Sequence, residues 1–180
     1  MQEHFGVIVM ALALADLLGQ PADGTDLDRN IEIGKKATGS SSAVAAGRVV
    51  VLNESTGEWA IAGSTSSGRF GIVPKLHPLN VDADDTLQVA TGVNSSWYVE
   101  AAGAIKPGQR CRSTTGGKVV AYAATNLANS ATFADTTIED AIKDFERAPF
   151  VYEGHYGEGS GLYNDPTDAA NAEPVRVRIG

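Results

Sequence analysis

Short runs of β-branched and apolar residues, separated by glycine-containing turns, follow one another along most of the chain. The clearest pair is 48–52 (RVVVL) and 58–62 (EWAIA), and the turn sequence NESTG between them predicts a β-hairpin. The same pattern predicts further short strands, at 71–74, 87–91, 97–101, 109–113, 118–123 and 175–179. Closely spaced short strands with glycine turns are typical of a small β-barrel or sandwich.

One helix is predicted between residues 137 and 148. Thr136 and Glu139 have the spacing of a capping box, and Pro149 ends the segment. Four apolar residues recur at the spacing of one helical face: Ile138, Ala141, Ile142 and Phe145. The predicted fold class is therefore mainly β, a small barrel or sandwich with one or two short helices and extended terminal arms.

The N-terminal segment 5–18 (FGVIVMALALADLL) is almost entirely apolar. A secretory signal peptide starts with basic residues, whereas this chain starts MQEH, and Asp16 follows within the segment. The segment is also too short to span a bilayer. We predict a buried or docking helix that ends near Gly19, with cleavage as a signal peptide as the alternative.

Three regions follow from these patterns. Residues 1–44 are predicted to form an N-terminal helix or arm with a linker, and residues 45–153 a β-rich core domain that includes the helix. Residues 154–180 are predicted to form a loop and a C-terminal strand or arm. The last strand, 175–179 (VRVRI), carries its arginines on one face, which suits an edge position or an arm that pairs with a neighbouring chain.

Composition and charge narrow the classes of partner. Hydrophobic residues make up 43% and charged residues 20% of the 180 residues, as in an ordinary globular domain. The net charge of −8 disfavours nucleic acid, because an acidic surface repels phosphates, and no membrane partner is expected either. The single cysteine, Cys111, excludes an intrachain disulfide. Its neighbours Arg110 and Arg112 would lower the pKa of the thiol, as in a reactive cysteine. The sequence offers no partner base for it, however, so we interpret Cys111 as a small residue of a strand.

No residue pattern along the chain predicts catalysis. His4, His77 and His155 stand apart, without the spacing of metal ligands. The acidic stretch 82–85 lacks the glycine and the final carboxylate of a calcium loop, although an irregular oxygen-rich site there stays an alternative. The stretch 157–161 (GEGSG) lacks the ending of a phosphate-binding loop. We therefore expect no enzymatic activity, no metal and no cofactor.

Several turn-and-strand motifs follow one another between residues 45 and 124. They are AGRVVVL at 46–52, GIVP at 71–74, VEAAGAI at 99–105, Pro107-Gly108 and GKVV at 117–120. This order resembles that of the capsid decoration proteins of tailed bacteriophages, also called cement or head-stabilising proteins. The N-terminal segment and everything after Asn126 have no counterpart in the family pattern.

The resemblance implies a β-rich, usually trimeric protein that sits on the outside of an icosahedral head and clamps adjacent major capsid subunits. The chain would be made in the host cytoplasm and end in the virion, with the major capsid protein and itself as partners. Candidate contacts are apolar N-terminal residues, three aromatic residues and the C-terminal strand: Phe5, Val7, Ile8, Met10, Trp59, Trp97, Tyr98, Val175, Val177 and Ile179. For each of them a place in the core is the alternative.

Two other functions stay open at this point. A secreted carbohydrate- or surface-binding β-module would have its N-terminus cleaved after Ala13 or Ala15. A hydrolase with a dispersed site would depend on residues such as His155 or Asp165. The first alternative is tested by the intact mass of the protein, and the second by an activity that is lost when either residue is changed.

Overall fold

The described part of the chain folds into a β-barrel and a second β-sheet, and the two pack against each other. The structure, a computed structural model, describes residues 18–21, 31–37, 44–75, 86–106, 108–123, 135–155 and 174–180. Ten strands and one α-helix lie in this part of the chain. Five strands close into a barrel and the other five form a second sheet. The prediction of a mainly β fold with a small barrel is confirmed.

The barrel is built from β1 (Ile31–Lys36), β2 (Val49–Asn53), β3 (Glu58–Ile61), β4 (Phe70–Ile72) and β5 (Thr86–Ala90). The strands close in the order β1-β3-β2-β4-β5, and β1 completes the ring by pairing in parallel with β3 and antiparallel with β5. β2 and β3 are the predicted hairpin, with Leu52 opposite Trp59. Closure of the ring leaves the barrel without a free edge.

Large apolar side chains fill the barrel interior. They form a buried cluster of Val44, Val50, Trp59, Val73, Leu87 and Val89. Two glycines make room for this cluster. A Cβ atom on Gly34 would overlap Cδ1 and Nε1 of Trp59, and one on Gly71 would overlap Cγ1 of Val89. Because packed interiors have no spare volume of that size, the barrel favours glycine at both positions.

The second sheet consists of β6 (Ser96–Glu100), β7 (Arg110–Thr114), β8 (Lys118–Ala121), β9 (Phe150–His155) and β10 (Pro174–Ile179). Its strand order is β6-β10-β9-β7-β8. β7 and β8 are a predicted hairpin, and the 3-10 turn Thr115–Gly117 joins them. Ala101, just after β6, bridges Val119 of β8, so the two outer strands of the sheet approach each other.

One buried cluster joins the barrel to the second sheet. It includes Val49 and Ile72 from the outer face of the barrel and Trp97 from the inner face of the sheet. The rings of Phe70 and Phe150 meet edge to face across this boundary, with centroids 6.1 Å apart. Burial of aromatic and aliphatic surface on both sides makes this boundary the main source of cohesion between the two parts.

The helix, α1 (Asp135–Glu146), lies between β8 and β9 in chain order. The helix predicted at 137–148 is thus confirmed, with both its ends two residues earlier. Thr136 is the second residue of α1, so its predicted place at the N-cap is wrong. The capping-box pattern marked the right part of the chain, because such patterns locate helix starts only to within a turn.

Two predictions about the chain outside the hairpins are corrected. β1 (Ile31–Lys36) lies within 1–44, which the sequence assigned to an arm and linker, yet it is a barrel strand. β10 pairs with β6 on one side and with β9 on the other, so the C-terminal strand lies inside the sheet and is neither an edge nor an arm. The strands predicted at 87–91 and 97–101 are confirmed as β5 and β6, each one residue earlier, and they lie in different sheets.

Candidate interaction surfaces

The predicted contact residues that the structure describes lie in the core. Six side chains are between 0% and 5% exposed: Trp59, Trp97, Tyr98, Val175, Val177 and Ile179. Trp59 fills the barrel, and Trp97 donates its indole N–H to Ser95 Oγ at 2.9 Å. The C-terminal side chains are buried because β10 is an interior strand. Their interpretation as exposed contacts is therefore corrected, and the core alternative holds.

The other predicted contacts lie at the N-terminus. Phe5, Val7, Ile8 and Met10 fall outside the described residues. Their contact with a capsid or a neighbouring subunit stays a prediction.

Cys111 is the buried strand residue that the sequence favoured. It is 0% exposed, and burial raises the pKa of its thiol from an ordinary 9.0 to about 12, although a backbone hydrogen bond with Tyr152 acts in the opposite direction. Arg110 and Arg112 do not lower this pKa, because strand alternation places them on the opposite face of β7. The thiol is therefore a packing group.

The other candidates for chemistry are mostly outside the described residues. This holds for His4, His77 and Asp165 and for the stretches 82–85 and 157–161. His155 is the last residue of β9. Within the described ranges, no group of three or more His, Cys, Asp or Glu side chains is placed to hold a metal ion.

The outer face of the second sheet, meaning the face turned away from the barrel, carries a cluster of cationic side chains. Its members are Arg110, Arg112, Lys118, Arg176 and Arg178. In β10 the valines are buried and the arginines are partly exposed. Val151 of β9 lies opposite Arg178 on one side and Arg110 on the other, and opposed residues share a face. The sequence showed the alternation in β10, but not the meeting of β7 and β10 across β9.

Glu153 binds two of these arginines. Its Oε2 accepts hydrogen bonds from Ser96 Oγ at 2.7 Å and from Arg176 Nε at 2.9 Å, and its Oε1 lies 3.4 Å from Arg178 Nε. The three strands β6, β10 and β9 are therefore linked on the outer face by one carboxylate. Partly buried ion pairs of this kind neutralise the charges on this face and also hold the paired strands in register.

Glu100 links the sheet to the barrel. Its Oε2 lies 2.7 Å from Nη2 of Arg48, and its Oε1 contacts Nζ of Lys118. Arg48 immediately precedes β2 of the barrel, whereas Lys118 begins β8 of the sheet. The Glu100 side chain is only 12% exposed, so both interactions are partly shielded from water.

α1 is anchored on the outer face at the β7–β8 end. The guanidinium carbon of Arg110 lies 4.1 Å from the ring centroid of Phe145, and its Nη1 donates to the carbonyl of Ala148 at 3.1 Å. The ring of Tyr122 meets that of Phe145 edge to face, with centroids 6.5 Å apart. These contacts hold the C-terminal end of α1 against the sheet.

The large apolar side chains of α1 are about half exposed. We call Ile138, Ile142 and Phe145 the α1 strip; they are 42%, 54% and 49% exposed. An amphipathic helix normally buries such a face. Within the described ranges, the other large hydrophobic side chains that are exposed are Ile33 (74%) and Val93 (68%). The sequence identified the members of the strip, but periodicity alone does not tell whether another element covers them.

The described part of the chain has no helix that is long and apolar enough to cross a membrane. Comparisons of the sequence with family models and with curated proteins, and of the fold with solved structures, found no match.

Proposed function

We propose that the chain is a non-enzymatic capsid decoration protein of a tailed bacteriophage, which binds the outer surface of an icosahedral head and stabilises contacts between major capsid subunits. The observation that carries the proposal is the resemblance of residues 45–124 to that family. In the fold this segment forms β2 to β8, which make up four barrel strands and three strands of the second sheet.

Motifs of the resemblance are in contact in the fold although they are far apart in sequence. Gly47 of AGRVVVL has a φ of 75° and donates its N–H to the carbonyl of Val73 in GIVP at 2.8 Å. Gly117 of GKVV lies so close to Val49 that a Cβ atom would come within 2.6 Å of the Val49 carbonyl oxygen. The motifs that carry the resemblance therefore hold the barrel and the second sheet together, which agrees with the rigid β-rich domain that the family implies.

The proposal places the stabilising contacts at the surface. The N-terminal residues Phe5, Val7, Ile8 and Met10 are retained as contacts with the major capsid protein. The exposed Ile33 and the α1 strip replace the core residues as further candidates. A homotrimer, as in the family, would multiply modest contacts, because linked copies bind a repeating lattice with avidity.

The test uses heads of the encoding phage assembled without this chain. Purified chain is mixed with these heads, and bound chain is measured by sedimentation and quantitative gel analysis. We expect saturable binding and heads that survive a higher temperature than undecorated heads. Absence of binding, together with equal heat resistance, would overturn the proposal, as would a virion proteome that lacks the chain.

No described feature favours the alternative of a carbohydrate-binding module. A shallow cleft of about 430 Å³ lies between residues 51–55 and the turn at Ser67 and Gly68. Its lining contains no aromatic side chain, so it lacks a ring surface on which a sugar could stack.

A further inference from the structure

We propose that the outer face of the second sheet binds the carboxylates of an acidic protein segment, with Arg110 and Arg112 of β7 as the central groups. The starting observation is that, within the described ranges, neither guanidinium has a carboxylate partner, although both residues are partly buried. The inference concerns the purified protein, and it holds or fails independently of the proposed function.

Arg112 is the cation of this face with the fewest interactions. In the part of the chain that the structure describes, its guanidinium makes no hydrogen bond and no ion pair. Its Nε is shielded from solvent, whereas the residue as a whole is partly exposed, so a ligand can reach the terminal nitrogens. A partly shielded charge without a partner lowers stability, so the fold itself does not explain why an arginine occupies this position.

Arg110 contacts only uncharged groups among the described residues. Its guanidinium carbon lies 4.1 Å from the ring centroid of Phe145, and its Nη1 donates to the carbonyl of Ala148 at 3.1 Å. These contacts orient the guanidinium but do not neutralise its charge. Because Arg110 and Arg112 are two residues apart in one strand, they share a face, and their Cα atoms lie about 7 Å apart. The strand therefore presents two adjacent positive charges.

The carboxylates beside this pair are each shared by two cations. Glu153 binds both Arg176 and Arg178. Glu100 binds Lys118 and an arginine of the barrel. The five cations of the cluster thus face two carboxylates, which gives this face a formal charge of +3. Since the whole chain carries −8, the rest of it carries −11, and the outer face is a local reversal of sign.

Lys118 and Arg178 flank the arginine pair. Lys118 is two residues from Val120, which lies opposite Arg112, so the two cations are diagonal neighbours at about 7–8 Å. Arg178 lies in β10, two strands from β7, and its Cα is about 10 Å from that of Arg110. A ligand that lies across β7 can therefore reach four cations.

The distribution of charge favours a carboxylate ligand from a protein. Guanidinium groups bind carboxylates and phosphates alike, often with two parallel hydrogen bonds. A long polyanion such as nucleic acid would extend beyond the face and be repelled by the −11 of the remaining chain. An extended protein segment with a glutamate at every second position places its carboxylates about 7 Å apart, which matches the spacing of Arg110 and Arg112.

A titration of the full-length chain with a synthetic peptide tests the inference. The peptide alternates serine and glutamate, and the control peptide has glutamine in place of each glutamate. Binding is followed by the amide chemical shifts of the isotope-labelled chain. The test variants are Arg112→Gln and Arg112→Lys. The matched control is Arg69→Gln, which removes the same charge from an arginine of the barrel that is 51% exposed and pairs with Glu32.

We expect saturable shifts of amides in β7, β8 and β10 with the glutamate peptide and none with the glutamine peptide. Arg112→Gln should weaken binding about tenfold or more, because it removes a charge-assisted hydrogen bond, whereas Arg69→Gln should change it less than about twofold. Arg112→Lys should bind less tightly than the wild type and more tightly than Arg112→Gln, since lysine keeps the charge but lacks the planar fork. Added NaCl should weaken binding to the wild type.

Three results would overturn the inference. The first is the absence of saturable shifts with the glutamate peptide. The second is an equal loss of affinity in Arg112→Gln and Arg69→Gln, which would show that only the net charge of the chain matters. The third is tighter binding of inorganic phosphate or of an oligothymidylate than of the glutamate peptide, which would assign the face to phosphates.

Discussion

Replacement of Gly34 by alanine tests the packing of the barrel most directly. Gly34 lies in β1, and its missing side chain leaves the space that the indole of Trp59 occupies. A methyl group there would overlap two atoms of that ring. Trp59 is only 2% exposed and belongs to the cluster that fills the barrel, so the ring has no solvent to move into.

The expected cost of Gly34→Ala follows from two opposing effects. Overpacking of a filled interior costs about 1–3 kcal/mol of unfolding free energy. Alanine is less flexible than glycine in the unfolded chain, and this effect alone stabilises the fold by about 0.4–1 kcal/mol. The net destabilisation is therefore about 0–2.6 kcal/mol, which corresponds to a fall in Tm of up to roughly 10 °C for a chain of this size.

Gly63→Ala provides the matched control. Gly63 follows β3 closely, and a Cβ atom added there meets nothing within 4 Å. Its backbone hydrogen bonds to Ser66 Oγ and from Ser113 Oγ are unaffected by a methyl group. The control should be neutral or slightly stabilised, by up to about 1 kcal/mol.

Urea unfolding monitored by tryptophan fluorescence measures both variants. Trp59 and Trp97 are both buried, so their emission reports loss of the barrel and of the sheet together. The reasoning is refuted if Gly34→Ala is as stable as Gly63→Ala. A Gly34→Ala variant that is destabilised but has an unchanged Trp59 environment in near-UV circular dichroism would also contradict it, because the clash acts on that ring.

Two further predictions concern buried ionisable groups. Because the pKa of Cys111 is raised from 9.0 to about 12 in the fold, the unfolded thiol ionises first, and stability should fall above pH 9 by up to about 1.4 kcal/mol per pH unit. The unfolding free energy measured in urea should therefore fall more between pH 7 and pH 10 in the wild type than in Cys111→Ala. A difference in stability between the two proteins that is the same at both pH values would contradict this prediction. Glu100→Gln, which weakens the pairs with Arg48 and Lys118, should cost about 1–3 kcal/mol in thermal unfolding, whereas exposed Glu139→Gln should change stability by less than about 0.5 kcal/mol. An equal loss of stability in Glu100→Gln and Glu139→Gln would show that the shielding of Glu100 from water does not strengthen its ion pairs.

Local patterns predicted the hairpins and the helix, and long-range pairing decided the rest. The turns at 53–57 and 115–117 specify their hairpins because their residues and the flanking strands are adjacent in sequence. β1 escaped prediction because Gly34 and two lysines weaken its strand pattern, and its place depends on Trp59 and on closure of the barrel. The interior position of β10 was not predicted either, because alternation shows which face of a strand is buried but not how many strands it pairs with.

The residues that carry the family resemblance and the residues that are available for contact are largely different sets. Gly47, Val49, Val73 and Gly117 are buried and hold turns and strands together, so they specify how the chain folds. The exposed α1 strip and the N-terminal segment lie outside 45–124, where the resemblance ends. If the chain decorates a capsid, the shared pattern therefore supplies the rigid support, and the parts without a family counterpart determine which surface it binds. Changing the exposed Ile138 and Ile142 of the strip to Ser should then weaken binding to heads without changing the fold.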